Sequence, residues 1–215
     1  MMWLAIAAQL SVPVAANGAV PDVRTVFSVD DFPAYLQRAG VSRIVYTRTT
    51  VRPDGAIQSC ITEVSSGDAV LDAYTCGIIV RRAKFRPATW NDGTPVYGVI
   101  RVPVSWRIGN SAPSHEESLR ATAPDLDLSV NKLPKGAHSI AGVSLEVGAD
   151  ENGHPVTCVE YPPFGKAEGK WHFAELVPIA CQQVMTTLSL TPPLDASGKA
   201  VRSVQSVSVH LKADQ

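Results

Sequence analysis

The sequence has no excess of charge of either sign. Its 19 Lys and Arg residues nearly balance 20 Asp and Glu residues, which leaves a formal net charge of −1 and an isoelectric point near 6.5. Nucleic acids and anionic membrane surfaces attract proteins through a basic field, so neither is an expected partner. Hydrophobic residues make up 45% of the 215 positions, enough for one large or two small cores.

Common enzyme signatures are also missing. Ser65 and Ser66 are not in a GxSxG turn, there is no glycine-rich phosphate loop, and the five histidines are not spaced with a carboxylate as in a triad. No CxxC pair suggests thiol redox chemistry. Asp68 and Asp72 could form an acid–base pair, but acidic residues at a helix start are more often partners of the helix dipole. We expect no enzymatic activity and no cofactor.

The N-terminus lacks a hydrophobic run that could cross a bilayer, which takes about 20 apolar residues. Met1 to Ala16 instead combines about ten apolar residues with small residues after them, the pattern of a secretory signal. No Lys or Arg precedes the apolar run, so a buried N-terminal segment is the alternative. We expect a signal peptide within residues 1–20, cleaved after Ala16.

Two constant offsets relate the halves of the chain. An offset of 98 residues carries Asp54, Gly55 and Cys60 onto Asn152, Gly153 and Cys158. An offset of 105 residues carries Cys76, Phe85, Pro87 and Gly93 onto Cys181, Leu190, Pro192 and Gly198. Two copies at such a spacing indicate duplicated small domains rather than a solenoid. We expect domains at 28–109 and 134–215, with a linker at 110–133 where periodicity is lost.

The four cysteines fall as one pair in each copy. An even number of cysteines in an exported chain favours disulfides, and the duplication selects pairing within each copy, Cys60 with Cys76 and Cys158 with Cys181. Closing a loop of about 15 residues stabilises a small domain by roughly 3 kcal/mol. His154 and His172 lie near the second pair, so zinc is the competing interpretation. It is weaker because neither histidine recurs in the first copy, and we expect no metal site.

Each copy predicts two strands, a helix and a third strand. In the first copy a short helix at 31–40 precedes strands at 44–51 and 56–64. Leu71, Thr75, Ile78 and Ile79 share one face of the main helix. The second copy predicts strands at 143–149 and 156–160, an insertion at 161–172, a helix at 178–187 and a strand at 201–211.

The last strand of the first copy, Val96 to Ile108, contains Pro103. Because proline donates no backbone hydrogen bond, it is typical of an edge strand or a bulge. An open edge can be used to pair with another chain. The candidate binding residues along it are Val99, Arg101, Val102, Val104 and Trp106.

Several short motifs of the first copy resemble the TonB C-terminal domain family over about residues 30–108. They are Phe32-Pro33, Ala39-Gly40, Asp54-Gly55, Val64-Ser65-Ser66-Gly67, Leu71-Asp72, Phe85-Arg86-Pro87-Ala88, Gly93-Thr94-Pro95-Val96 and Val102-Pro103-Val104. Cys60 and Cys76 are additions to the best-known members. The second copy resembles the family faintly, through Asn152-Gly153, Pro192 and Gly198.

The resemblance implies an α+β fold, two tandem domains in which one or two helices pack on a three-stranded antiparallel sheet. It also implies a periplasmic location and a role in binding envelope proteins or outer-membrane receptors, whose box peptide adds to the last strand. We expect no retained membrane anchor and no long spacer rich in Pro and Lys, and therefore no transmission of force by this chain alone. The alternative is a structural or self-assembling envelope protein without a transport role, including a homodimer paired through its edge strands.

Overall fold

The structure is a computed structural model that describes residues 18, 20–21, 26–108, 122–137, 139–161 and 173–213. The predicted signal peptide, apart from two of its residues, and most of the insertion at 161–172 lie outside this part of the chain. The described strands and α-helices are β1 Val20–Pro21, α1 Ala34–Ala39, β2 Arg43–Val51, β3 Ile57–Val64, α2 Ala69–Arg82, β4 Phe85–Arg86, β5 Ala88–Thr89, β6 Pro95–Trp106, β7 Leu126–Val130, β8 Ala141–Ala149, β9 Pro155–Glu160, α3 Val177–Thr187 and β10 Ser203–Ala213. None of the helices described is long and apolar enough to span a bilayer.

The order strand, strand, helix, strand occurs twice, as the sequence repeat predicts: β2, β3, α2 and β6 correspond to β8, β9, α3 and β10. The hairpin glycines are equivalent in detail. Gly55 and Gly153 have φ angles of 82° and 84°. A Cβ atom there would lie 2.6 Å from the Phe85 carbonyl oxygen and 1.9 Å from that of Leu190. Only glycine tolerates both the positive φ and the close approach.

Both predicted disulfides are present, Cys60–Cys76 and Cys158–Cys181, each with Cα atoms 5.6 Å apart. Each bridge ties the second strand of a repeat to its helix. The stripe predicted for α2 is also confirmed, since Leu71, Ile78 and Ile79 are at most 1% exposed.

The α+β class is correct, but two separate three-stranded sheets do not form. One mixed sheet contains the strands of both repeats in the order β3-β2-β6-β10-β8-β9, with β5 on β6 and β7 on β10, and β1 pairs with β4 in a separate two-stranded sheet. The repeats meet where β6 and β10 run parallel, with Tyr97 opposite Ser203 and Val99 opposite Gln205. The edge expected to be open on β6 is therefore used, in its first half, to join the repeats.

The helices α2 and α3 lie on opposite faces of this sheet. Val204 of β10 packs in one cluster with Ile100, on the α2 side. Val207 and Val209 pack with the residues of α3, and neighbouring residues of a strand alternate between faces. Two equivalent edge strands can pair side by side and in parallel only if one repeat is rotated by half a turn relative to the other, about an axis parallel to the strands. This rotation places the helices of the two repeats on opposite faces of the sheet. Both faces of β10 are thereby covered over most of its length, whereas β6 is exposed at Pro103 and Ser105 on the face away from α2.

One loop of each repeat contacts the other repeat. The ring of Trp90, from the loop before β6, lies 5.1 Å from the Arg202 guanidinium carbon and within 3.2 Å of the position that a Cβ on Gly148 would occupy. In the reverse direction, the Gln58 side chain donates to the Leu194 carbonyl at 2.9 Å. The repeats are thus packed together rather than joined only by a chain segment.

The segment predicted as a linker, 110–133, contains strand β7. It pairs in parallel with β10, with Leu126 opposite Val209 and Val130 opposite Ala213. Leu126, Leu128 and Val130 pack against the α3 core. Apolar and polar side chains alternate along this strand, which is only five residues long.

Candidate strand-addition site at the β6–β10 seam

The predicted binding residues of β6 divide between the two faces of the sheet. Val104 and Trp106 are 8% and 4% exposed and belong to the α2 core, with Val102 packed against it. The indole N–H of Trp106 donates to the Thr75 hydroxyl at 3.0 Å. Val99 and Arg101 face the opposite side. Side chains on the α2 side are part of the core, so only the backbone of β6 and its other face can meet a partner.

The backbone of β6 offers few free donors on its outer edge. In an antiparallel pair every second residue directs both backbone groups away from its neighbour. The Arg101 N–H donates outward to the Ser206 hydroxyl at 2.8 Å, which places Val99, Pro103 and Ser105 in the outward set as well. Val99 is covered by β10 and Pro103 has no N–H. Ser105 therefore carries the one outward N–H of β6 beyond Arg101 that the described residues leave without a strand partner.

We use the word seam for the region where the two central strands diverge, Arg101–Trp106 of β6 and Ser206–Ala213 of β10. β10 pairs with β6 only over Ser203–Gln205. At Ser208 the partner changes to the segment that leads into β7. The Ser208 N–H donates to a carboxylate oxygen of Asp125 at 2.8 Å, and the Asp125 N–H donates to the Ser208 carbonyl at 2.8 Å.

Four charged side chains converge at the seam, on the face away from α2. Arg101 binds Glu63 through Nε and Nη2, at 2.7 and 2.8 Å. It binds Asp125 through Nη1 and Nη2, at 2.6 and 3.0 Å. Arg48 contacts the same two carboxylates, with its Nε 2.9 Å from Glu63 and its Nη2 3.3 Å from Asp125. Two guanidinium groups and two carboxylates thus neutralise one another.

The four side chains are 13–24% exposed. Burial by itself would raise the pKa of Glu63, but hydrogen bonds from Arg101 and Arg48 outweigh that effect and lower the pKa below its ordinary value. Burial would lower the pKa of Arg101, and the neighbouring carboxylates raise it instead. Both shifts favour the charged forms of Glu63 and Arg101.

Sequence reasoning selected Arg101 but missed Arg48, Glu63 and Asp125. In the structure, Arg48 lies directly opposite Arg101 in the β2–β6 pair. Like charges facing each other across strands repel, so two neighbouring carboxylates were needed. Identifying them requires the register of β2 and β6 and the path of the chain through Asp125, which local patterns do not supply.

The outermost strand β3 offers a longer edge, but it carries features that oppose pairing. Its register with β2 shifts twice, and bulges of this kind twist an edge away from regular pairing. Ile61 is 57% exposed on this strand. At the other end of the sheet, β9 begins with a proline and its pairing with β8 also shifts.

The acidic pair Asp68 and Asp72 has structural roles. Asp68 caps α2 by accepting from the N–H groups of Val70 and Leu71, and a hydrogen bond from Tyr35 is the largest effect that lowers its pKa. Asp72 is 7% exposed and accepts from both serine hydroxyls of the preceding loop, at 2.5 and 2.7 Å. These contacts hold the loop that precedes α2.

The zinc interpretation finds no support in the second repeat. Cys158 and Cys181 are joined in a disulfide, and His154 contacts Asp150, Nδ1 to Oδ2, at 3.4 Å. His172 lies outside the described residues. Across the ranges that the structure describes, no group of three or more potential metal ligands occurs.

Comparison with known proteins finds a family model that is similar to the first repeat. The family model of the Gram-negative bacterial TonB protein C-terminal matches residues 28–108. Searches of curated proteins and of solved structures found no match. The matched residues include α1, β2, β3, α2 and β6, together with the loop from Ser65 to Asp68. Residues 28–108 are therefore similar to a TonB protein C-terminal domain.

Proposed function

We propose that the protein is a non-enzymatic binding module of the cell envelope that takes up an extended segment of a partner protein by β-strand addition. The family match supports a TonB-like role in protein interaction. The two disulfides fit a location outside the reducing cytoplasm. We place the protein in the periplasm, exported by the signal peptide predicted within residues 1–20. Its partner in this proposal is an outer-membrane receptor or another envelope protein.

The observation that carries the proposal is the divergence of β6 and β10 at the seam. Beyond Arg101, the backbone groups of β6 that point away from β2 have no strand partner among the described residues, and β10 pairs there with the short strand β7 instead. Strand addition gains its affinity from such backbone groups. We therefore place binding at the seam instead of along the whole of residues 96–108, and Val99 drops out of the predicted set.

The experiment is a titration of isotopically labelled protein with a synthetic peptide that carries a receptor box sequence. The amide signals of Arg101–Trp106 and Ser206–Ala213 should shift. Ser105→Pro is the variant that tests the role of the β6 backbone. Position 105 directs its N–H outward like Pro103, so the pairing of Ser105 with Ile44 is preserved while the outward donor is removed. Binding should weaken by about fivefold, since one backbone hydrogen bond contributes about 1 kcal/mol.

Amide shifts restricted to β3, β9 or the helices would contradict binding at the seam. An unchanged affinity in the Ser105→Pro variant, with the fold intact, would contradict a role for the β6 backbone. No shift at all with several receptor sequences would remove receptors from the candidate partners.

Self-assembly is a second candidate function, favoured by the exposed edge of β3. Within the described chain no strand pairs with the outer side of β3, and Ile61 there is 57% exposed. Sedimentation would detect a homodimer, which Ile61→Lys should weaken. A strict monomer across the accessible concentrations would exclude this function.

A further inference from the structure

Strand β7 is the part of the fold whose attachment most resembles that of a bound peptide. It arrives from outside the two repeats and adds in parallel to the outer edge of β10. Parallel pairing is slightly less stable per residue than antiparallel pairing. The apolar side chains Leu126, Leu128 and Val130 are only partly buried, and Asp127 and Ser129 are exposed. The strand β10, by contrast, is held over nine residues by β8 on its other side.

Asp125 fixes β7 at its start. Its carboxylate accepts from both arginines and from the Ser208 N–H, and its own N–H donates to the Ser208 carbonyl. If β7 were to leave, Arg48 and Arg101 would retain only Glu63, and one positive charge in a largely buried cluster would be unbalanced. An uncompensated charge with little solvent contact is costly. The vacated site would therefore favour an incoming carboxylate.

We infer that β7 is an exchangeable internal ligand, and that a partner segment replaces it on the edge of β10. The internal ligand shows what the partner must offer: an acidic residue that binds Arg48 and Arg101, followed by apolar residues at every second position. Such a segment runs parallel to β10 and packs on the α3 core, as Leu126, Leu128 and Val130 do. The inference rests on the proposed function, since it specifies the chemistry and the control of the same seam.

Exchange has a predictable effect on affinity. An internal strand competes at an effective concentration that is typically millimolar for a short connection, so the intact protein should bind an external strand weakly. Variants in which β7 is less stably attached to β10 should bind the external strand more tightly, although they add no new contact to it.

The first test is native-state hydrogen exchange of the unmodified protein. We expect the β7 amides that pair with β10 to exchange through local opening, at least 100-fold faster than the amides of the β8–β10 pair. Exchange of the β7 amides only with global unfolding, at the rate of the β8–β10 amides, would overturn the inference. This measurement needs no substitution and cannot be confused with misfolding.

The second test uses a synthetic peptide that copies residues 124–131 as the probe. Its affinity should rise at least tenfold from the native protein to Leu128→Asp, in which a charge opposes the return of β7 to the α3 core. A peptide with Asn at the position of Asp125 should bind that variant at least tenfold more weakly, because it cannot neutralise the arginines. Equal affinities for the two peptides, or no binding by the variant with its fold intact, would overturn the inference.

The two proposals fail in different ways. If the copied peptide binds and β7 opens locally, but receptor peptides do not bind at the seam, the exchange of β7 is supported and the binding of receptors is contradicted. If a receptor peptide binds at the seam while the β7 amides keep their signals and their protection from exchange, the binding of receptors is supported and the exchange of β7 is contradicted.

Discussion

Gly98 of β6 lies beside Val204 of β10 in the parallel pair that joins the two repeats. Val204 is fully buried in a cluster with Val51 and Ile100 of the first repeat. The second repeat therefore completes a core of the first, and the two should unfold together.

Val204→Ala tests this shared core. Removing two buried methyl groups should lower the free energy of unfolding by about 2 kcal/mol. The loss should appear in one cooperative transition, measured by chemical denaturation with tryptophan fluorescence and with circular dichroism. Two separate transitions, of which only that of the second repeat is affected, would show that the cluster does not couple the repeats.

Each disulfide should make a similar contribution to stability. The bridges close loops with sequence separations of 16 and 23 residues, and the chain-entropy model gives about 3 kcal/mol for either. Replacing Cys60 and Cys76 by Ala, or Cys158 and Cys181 by Ala, should reduce the free energy of unfolding by that amount. A difference of more than about 2 kcal/mol between the double variants would mean that native-state contacts dominate over loop entropy.

The charge cluster at the seam should be far more sensitive than an exposed ion pair. Glu63→Gln leaves two guanidinium groups facing one carboxylate, so we expect a loss of about 2 kcal/mol, reduced from the value for fully buried pairs because the cluster keeps some solvent contact. Lys212→Gln is the control, since the ion pair between Lys212 and Asp127 is about half exposed. It should change the free energy of unfolding by less than about 0.5 kcal/mol. Equal effects of the two substitutions would refute a structural role for the cluster.

The contribution of Glu146 to the free energy of unfolding decreases as the pH rises. Burial raises its pKa above the ordinary 4.5, opposed by a hydrogen bond from the Gly18 N–H. A raised pKa means that the folded state holds its proton more tightly than the unfolded state, so stability is complete below pH 4.5 and is lost as the pH rises through the folded pKa.

Glu146→Gln removes this titration. At pH 7 the variant should be more stable than the native protein, and the difference should vanish near pH 4. Other carboxylates act in the opposite direction, among them Asp31, whose pKa is lowered to about 2, first by its hydrogen bond from Arg82. The quantity to measure is therefore the difference between the two proteins at each pH. A constant difference from pH 4 to 8 would contradict a raised pKa.

The local structure of each repeat could be predicted because its determinants are local. Turn residues at Asp54-Gly55, the alternation of β2 and the buried face of α2 depend on nearby residues. The cysteine pairing was predictable because the sequence repeats it. These features required no knowledge of how the repeats meet.

The parallel pair between β6 and β10 could not be predicted, because side-chain patterns report which face of a strand is buried and not which edge is paired. Every residue except proline offers the same backbone groups to a neighbour. Pro103 indicates an edge strand, and among the described residues β10 leaves β6 before reaching it. The same limit applies to Asp125, whose partners come from β2, β6 and β10.

The sequence of strand β7 carries a weak strand signal. Leu126, Leu128 and Val130 alternate with polar residues, but the run is short and follows a segment rich in Ser, Pro and Ala. Its pairing depends on β10, which lies about 80 residues later in the chain. Such a strand is stable only in its tertiary context.

The placement of the cysteines has a consequence for biogenesis. During synthesis from the N-terminus, Cys60 and Cys76 emerge well before Cys158, so the first bridge can close while there is no wrong partner to choose. Cys158 and Cys181 then find each other as the remaining thiols. Oxidation in order of emergence is therefore sufficient, and maturation should proceed without a disulfide isomerase.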